Sequence, residues 1–176
     1  TALDGLPLAL DQAGAYIEET GCLIADYLQL YHTAAPFLLN ERGTYADHPL
    51  SVAKTFALTF EKVQQRNSAA AELLHVCAFL APDAIPEELI TQGASWLGPT
   101  MYGLVAEPLR YHAAIKELLN YSLIRRNAET KLLTIHRLVQ AVLKDIMPVE
   151  EQKAWLRHII QALDQLFPAE RLTNLS

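Results

Sequence analysis

Between residues 109 and 146 the repeat of apolar side chains changes twice, and that succession narrows what the chain can become. From Leu109 to Asn120 the spacing predicts a helix with Ile115, Leu118 and Leu119 facing inward. SLIRR (122–126) and KLLTI (131–135) are short β-prone runs separated by NAET, which predicts a hairpin. Val139, Val142, Leu143 and Ile146 then fall at i, i+3, i+4 and i+7, so a helix comes next, and Pro148 ends it. His136 stands at the junction of strand and helix. The first helical turn has free N–H groups there, a place that suits an anion such as a phosphate.

The upstream part reads as helices. Leu6, Leu10, Ala13 and Ile17 predict an amphipathic helix over 6–19, with Pro7 in its first turn and Gly21 closing it. Ile24, Tyr27, Leu28 and Tyr31 predict a second helix that stops before Pro36, and the two make a helical hairpin. Ser51 suits the N-cap of a helix to about Gln65 with Val52, Phe56, Phe60 and Val63 as its stripe. Residues 68–80, capped by Asn67 or Ser68, are apolar almost all round and predict a buried central helix. Pro86 suits the first turn of a short helix, EELI, and 93–108 has no clear pattern. A last helix over 150–167 shows Leu156, Ile159, Ile160, Leu163 and Phe167 at helical spacing. Three helices, a hairpin and a flanking helix make the element order of a winged-helix domain. The expected fold is therefore mainly α: a helical subdomain over 1–40, a linker over 41–50, a winged-helix domain over 51–148 with one small β-hairpin, and a C-terminal helix in 149–176.

Charge supports that division. Residues 1–50 hold seven acidic residues against Arg42 alone, while the remainder is neutral, so the boundary near residue 50 is also a charge boundary. With 51% hydrophobic residues, the chain can bury a core. No window reaches the roughly 18 apolar residues of a membrane span. Thr1 is not a start methionine and 1–20 has no basic signal-peptide region, so the sequence reads as a piece of something longer. Cys22 and Cys77 make no disulfide framework, and reduced thiols in a cytoplasmic protein are expected.

Several chemistries lack the residues they need. None of the seven glycines is followed by lysine, so there is no GxxxxGK[ST] loop and no triphosphate cradle in this chain. His75 and Cys77 lie on different faces of a helix, which is wrong for sharing a metal ion. There is no GxSxG elbow, so no nucleophile is proposed and the chain by itself is not expected to be an enzyme. Taken alone, Pro7 is an ordinary N1 proline and His136 a helix-start histidine satisfied by nearby backbone. Arg125, Arg126, Lys131 and Arg137 form a basic cluster near the hairpin, where winged helices that bind DNA place contacts. Four such charges more commonly mark a solvated face, and an acidic-plus-neutral chain lacks the basic footprint of phosphate-backbone binding. A third reading is a protein-interaction module built on the stripe of 150–167.

Two segments carry a family resemblance. LDGLPLALDQAGAYI (3–17) resembles the GLPLA motif of the NB-ARC family, the signalling ATPases of the STAND class, and TIHRLVQAVL (134–143) resembles that family's second histidine motif. SVAKTFALTFEKV, AAELLHVCAFLAPDAIPEELI and LLNYSLIRR look like the winged-helix portion of bacterial and fungal members with tetratricopeptide repeats, so the likeness spans most of 3–167. The resemblance implies a regulatory, nucleotide-sensing segment whose ADP or ATP, with Mg, is held mainly by an upstream nucleotide-binding domain. It implies that Pro7 walls the adenine and ribose, that His136 reaches the β-phosphate of ADP, and that both latch a closed state. No nucleotide is expected to bind this chain tightly, and His136 is expected to be exposed or bonded locally. Implied partners are that upstream domain, a downstream repeat region and, on activation, further copies of the protein. Where plant members read Met-His-Asp, this chain has Ile135, His136 and Arg137, so a regulatory contact made by the acid has no counterpart.

Overall fold

The computed structural model describes residues 7–40 and 50–167, the side chains of 34–40 and 50–52 excepted. The expected linker therefore lies, but for Leu50, outside the described residues. In order, the elements are α1 (Pro7–Thr20), α2 (Ile24–Asn40), α3 (Leu50–Arg66), α4 (Ser68–Ala78), β1 (Ile85–Pro86), α5 (Glu87–Gly93), α6 (Pro99–Ala106), α7 (Pro108–Asn120), β2 (Ile124–Asn127), β3 (Leu132–Ile135), α8 (Arg137–Ile146) and α9 (Val149–Leu166). The protein is mainly helical, with one small antiparallel sheet.

α4 is the hub. Asn67 caps it by accepting from the Ala70 N–H at 3.1 Å, and Leu73, Leu74, Val76 and Cys77 are all fully buried. α3, α6, α7, α8 and α9 pack around it. A helix apolar on every side can be stable only when surrounded in this way. Gln140 of α8 donates through Nε2 to the carbonyls of Cys77 and Leu80, both at 2.9 Å. These carbonyls belong to the C-terminal end of α4, where a helix leaves acceptors unpaired. Gln152 repeats the device one helix later, donating to Lys144 O at 2.7 Å and Met147 O at 2.9 Å.

α1 and α2 both pack on α3, joined by a turn in which Gly21 adopts φ +66° and donates to Ile17 O. Tyr16, Tyr27 and Tyr31 share one core with Phe56 and Val63. Arg66 at the end of α3 donates to the Tyr121 hydroxyl at 2.9 Å and pairs with Glu117 at 3.3 Å and, more loosely, with Glu19 at 3.8 Å. Those contacts fix the position of α1 relative to the start of the hairpin.

Five sequence expectations require correction. Of the expected α1 stripe, Ala13 is buried and Ile17 packs against the core, but Leu10 is exposed and Leu6 lies outside the described residues, because the buried face is turned toward Ala9, Gln12 and Tyr16. α2 runs through Pro36 to Asn40; a proline has no N–H to donate, a local loss of one helical hydrogen bond in a helix of 17 residues. Leu119 is exposed, since α7 turns Tyr111, Ala114, Ile115 and Leu118 inward. Finally, the hairpin belongs to a three-stranded sheet of order β1-β3-β2. β1 is two residues long, too short to show a period, and is held by Ile135 N to Pro82 O at 2.9 Å and Glu87 N to Lys131 O at 3.0 Å. α3 also begins at Leu50, one residue before the expected cap Ser51, and α6 occupies the stretch that had no clear pattern.

Candidate functional site

The sheet register decides which hairpin side chains face outward. Ile85, Ile124, Leu133 and Ile135 are buried on one face. Strand alternation then turns Arg125 and its register partner Thr134 to the other. There they line a cleft of about 140 Å³ with Ser122, Leu123, Ile124 and His136, closed on the far side by Leu8 and Asp11 of α1. A wider recess of about 320 Å³ shares Asp11, Ser122, Ile124 and Arg125 with it and adds Leu119 and Arg126.

Each wall has a local cause. α7 ends with Ser122 N donating to Leu119 O and Leu123 N to Leu118 O, both at 3.0 Å. This helix-terminating pattern places Ser122 in the left-handed region at φ +53°, a conformation usually given to glycine, and turns the chain into β2. Asn127 Oδ1 accepts from the N–H groups of Glu129 and Thr130, closing the hairpin tip. His136 has extended backbone (φ −69°, ψ 133°) and is the N-cap of α8, its Nδ1 accepting from Leu138 N at 3.1 Å. Its imidazole is exposed. Because Nδ1 is an acceptor here, the neutral ring carries its proton on Nε2 and keeps a donor for something else.

Pro7 is exposed in the first turn of α1 and does not itself line the cleft. Leu8 and Asp11 from the start of the same helix do. Arg125 is exposed and has no ion-pair partner among the described residues, whereas Asp11 brings a negative charge to the opposite wall. An anion entering the cleft is therefore attracted toward Arg125 and His136 and repelled from α1, which orients it. Apolar matter finds Leu8, Leu123 and Ile124. Asp11 was missed from the sequence, although its i+4 spacing from Pro7 on one helix face is a signal that could have found it; Ser122 and Thr134 carried no such signal.

The basic cluster does not form a continuous cationic face. Arg126 is bound by Glu87 through two hydrogen bonds, at 2.5 Å from Nε and 3.0 Å from Nη2. Glu87 is buried, and the buried Tyr111 phenol next to it has its pKa raised by desolvation and then by the Glu87 charge. Arg137 pairs with Asp83 at 3.8 Å on the surface. Two of the four charges are thus already compensated, which removes support from DNA binding. No described helix is long and apolar enough to cross a membrane.

A family model described as "Domain of unknown function (DUF7779)" matches residues 59–152, from α3 to the start of α9. Over 148 residues, 78% of this chain, the sequence is 26% identical to a protein of Hyaloscypha variabilis named "Nucleotide-binding leucine-rich repeat (NLR)-like protein". The matched region spans 14% of that protein's length. No solved structure matches the chain with significance.

Proposed function

The chain belongs to the DUF7779 family, a domain of unknown function, and we propose that it is the nucleotide-sensing segment of an NB-ARC/STAND-type signalling protein. In this reading residues 51–148, from α3 through the hairpin to α8, make the winged-helix domain, and α1 with α2 make the helical subdomain before it. The observation that carries the proposal is the cleft itself: Leu8 and Asp11 of the GLPLALDQ segment meet Thr134 and His136 of the TIHR segment across one narrow gap. The two motifs lie near opposite ends of the sequence, and the fold brings them together. The name of the Hyaloscypha relative supports the same class, and its much greater length supports further domains in one polypeptide.

The ligand in this proposal is ADP, whose diphosphate offers strong, negatively charged acceptors when bound. His136 has the Nε2–H to donate to such an oxygen, and Arg125 has a guanidinium with no ion-pair partner among the described residues. Leu8 supplies an apolar wall suited to a base or ribose edge, and Pro7, which stands just before it outside the cleft lining, would reach the nucleotide only from the rim. Most phosphate contacts and the Mg site would come from an upstream nucleotide-binding domain, since this chain has no phosphate loop. The segment therefore reads nucleotide state and carries out no hydrolysis of its own. A nucleotide can bias closed against open arrangements only through contacts made in one of them, and a phosphate held by His136 in the closed form is such a contact.

The test is ADP release from the longer protein, followed with a fluorescent analogue. Losing a charge-assisted hydrogen bond worth roughly 1.5–3 kcal/mol should speed release about 10–100-fold in His136→Ala. His136→Asn separates this role from folding: its side-chain oxygen can still cap α8, so stability should stay near wild type while release accelerates. Wild-type release rates in both variants would remove His136 from the site.

A further inference from the structure

Gln12 breaks the pattern of the core. It is 0% exposed, and neither polar atom of its side-chain amide has a hydrogen-bond partner among the described residues. Buried amides normally find partners, because giving up water without them is costly. Leu10, two residues earlier on the same helix, is 51% exposed. α1 thus hides an unpaired amide and shows a leucine to solvent. Helical geometry relates the two. At about 100° per residue, Ala9 and Tyr16 mark the centre of the buried face, with Gln12 about 50° to one side and Leu10 about 110° to the other. A roll of α1 by about 60° around its own axis exchanges their places. It also centres the buried face near Ala13 and Ile17 with Leu10 beside them, the stripe that the apolar spacing predicts.

We propose that α1 has this second seat, in which the Gln12 amide enters the cleft in place of the Asp11 carboxylate and donates to the anion bound there. In the present seat Leu8 and Asp11 line the cleft, about 90° and 150° from the buried centre on the side of Gln12. After the roll Gln12 stands at about 110° on that side, between those two directions, and Asp11 has turned away. One wall of the cleft changes from a carboxylate that repels an anion to an amide that can donate to it. The surroundings of α1 admit the movement. Its buried face on α3 includes the small side chains of Ala9 and Ala13, and a Cβ on Gly14 would meet nothing within 4 Å. Tyr16 keeps an edge on the core at about 70° from the new centre. The ion pair of Glu19 with Arg66, at 3.8 Å, is beyond hydrogen-bond reach and yields at little cost. An anion that meets Gln12 in one seat and Asp11 in the other favours the first, so ligand binding and the seat of α1 are linked. The identity of the ligand rests on the nucleotide-sensing function proposed above, whereas the two seats do not.

Thiol labelling of the 176-residue chain, located by peptide mass spectrometry, tests the two seats. In a Cys22→Ser background the remaining native thiol, Cys77, is fully buried in the hub helix, and its labelling reports global opening. Gln12→Cys should label at least about tenfold faster than Cys77 in the same molecule, because a roll is a smaller opening than unfolding. Ala13→Cys, which faces the core in both seats, should label as slowly as Cys77. Slow labelling at position 12 means one seat and overturns the proposal. Fast labelling at both 12 and 13 means that α1 comes off whole, which overturns it too. Gln12→Met, which removes the unpaired amide and needs no cysteine, tests the donor role. Its urea midpoint should rise, while ADP release from the longer protein should quicken roughly tenfold through the lost hydrogen bond to a charged group. Wild-type release in Gln12→Met, with His136→Ala still accelerated, overturns the proposal and leaves the nucleotide site standing. Wild-type release in both variants removes the nucleotide instead, and the labelling ratio alone then decides the two seats.

Discussion

His136 gains a meaning from its neighbours that its type alone does not give. One ring nitrogen is committed to the α8 N-terminus and the other is left as a donor in the cleft. The stability of that position depends on α8 being held, and Gln140 holds it. Gln140→Leu should cost about 1–3 kcal/mol in urea unfolding, because the Cys77 and Leu80 carbonyls lose their donor in a dry site. His75 governs the pH response of the other side of the hub. It lies between the rings of Phe60 and Trp155, with Glu151 3.9 Å away, and burial lowers its pKa, only partly opposed by that carboxylate. The folded state then binds a proton less readily than the unfolded state. Stability should fall as pH drops below about 6.5, the value for a free histidine, and the fall should be shallower in His75→Phe across urea titrations from pH 7.5 to 5.5.

Elements were legible in the sequence where their period was long and their burial one-sided. α4, α7, α8, the hairpin strands and the cap at Asn67 come from spacing and capping chemistry, because nothing in the tertiary structure overrides those local preferences. The face of α1 was half legible: Ala13 and Ile17 of the expected stripe meet the core, whereas Ala9, Gln12 and Tyr16 are buried in place of Leu10 by the way α1 lies on α3. β1 was invisible because its two residues owe their strand geometry to bonds made by Pro82 and Lys131, outside it. At the site, His136 and the neighbourhood of Pro7 were legible from motifs, whereas the contribution of Ser122 and Thr134 depends on a helix-ending turn and a strand register that spacing does not announce. The Glu87–Arg126 pair, which ties α5 to β2 and so holds the strand bearing Arg125, was hidden for the same reason. Removing one member of such a mostly buried pair leaves the other uncompensated. Arg126→Ala should therefore destabilise the fold by about 3 kcal/mol in chemical unfolding, and the double variant Glu87→Gln, Arg126→Ala by less than the sum of its parts.

For the whole molecule, the helices α1 and α2 share a core with α3 while two surfaces remain open: the cleft between α1 and the hairpin, and the outer stripe of α9. The first is the proposed place for a nucleotide presented by an upstream domain. The central claim is that this chain provides only part of a nucleotide site. Calorimetric titration of ADP tests it most directly, into the 176-residue chain and into the longer protein under identical conditions. The expected result is no saturable binding by the chain alone at ligand concentrations up to about 1 mM, against a Kd of about 1 μM or tighter for the longer protein. Micromolar binding by the chain alone, or none by either, would contradict it.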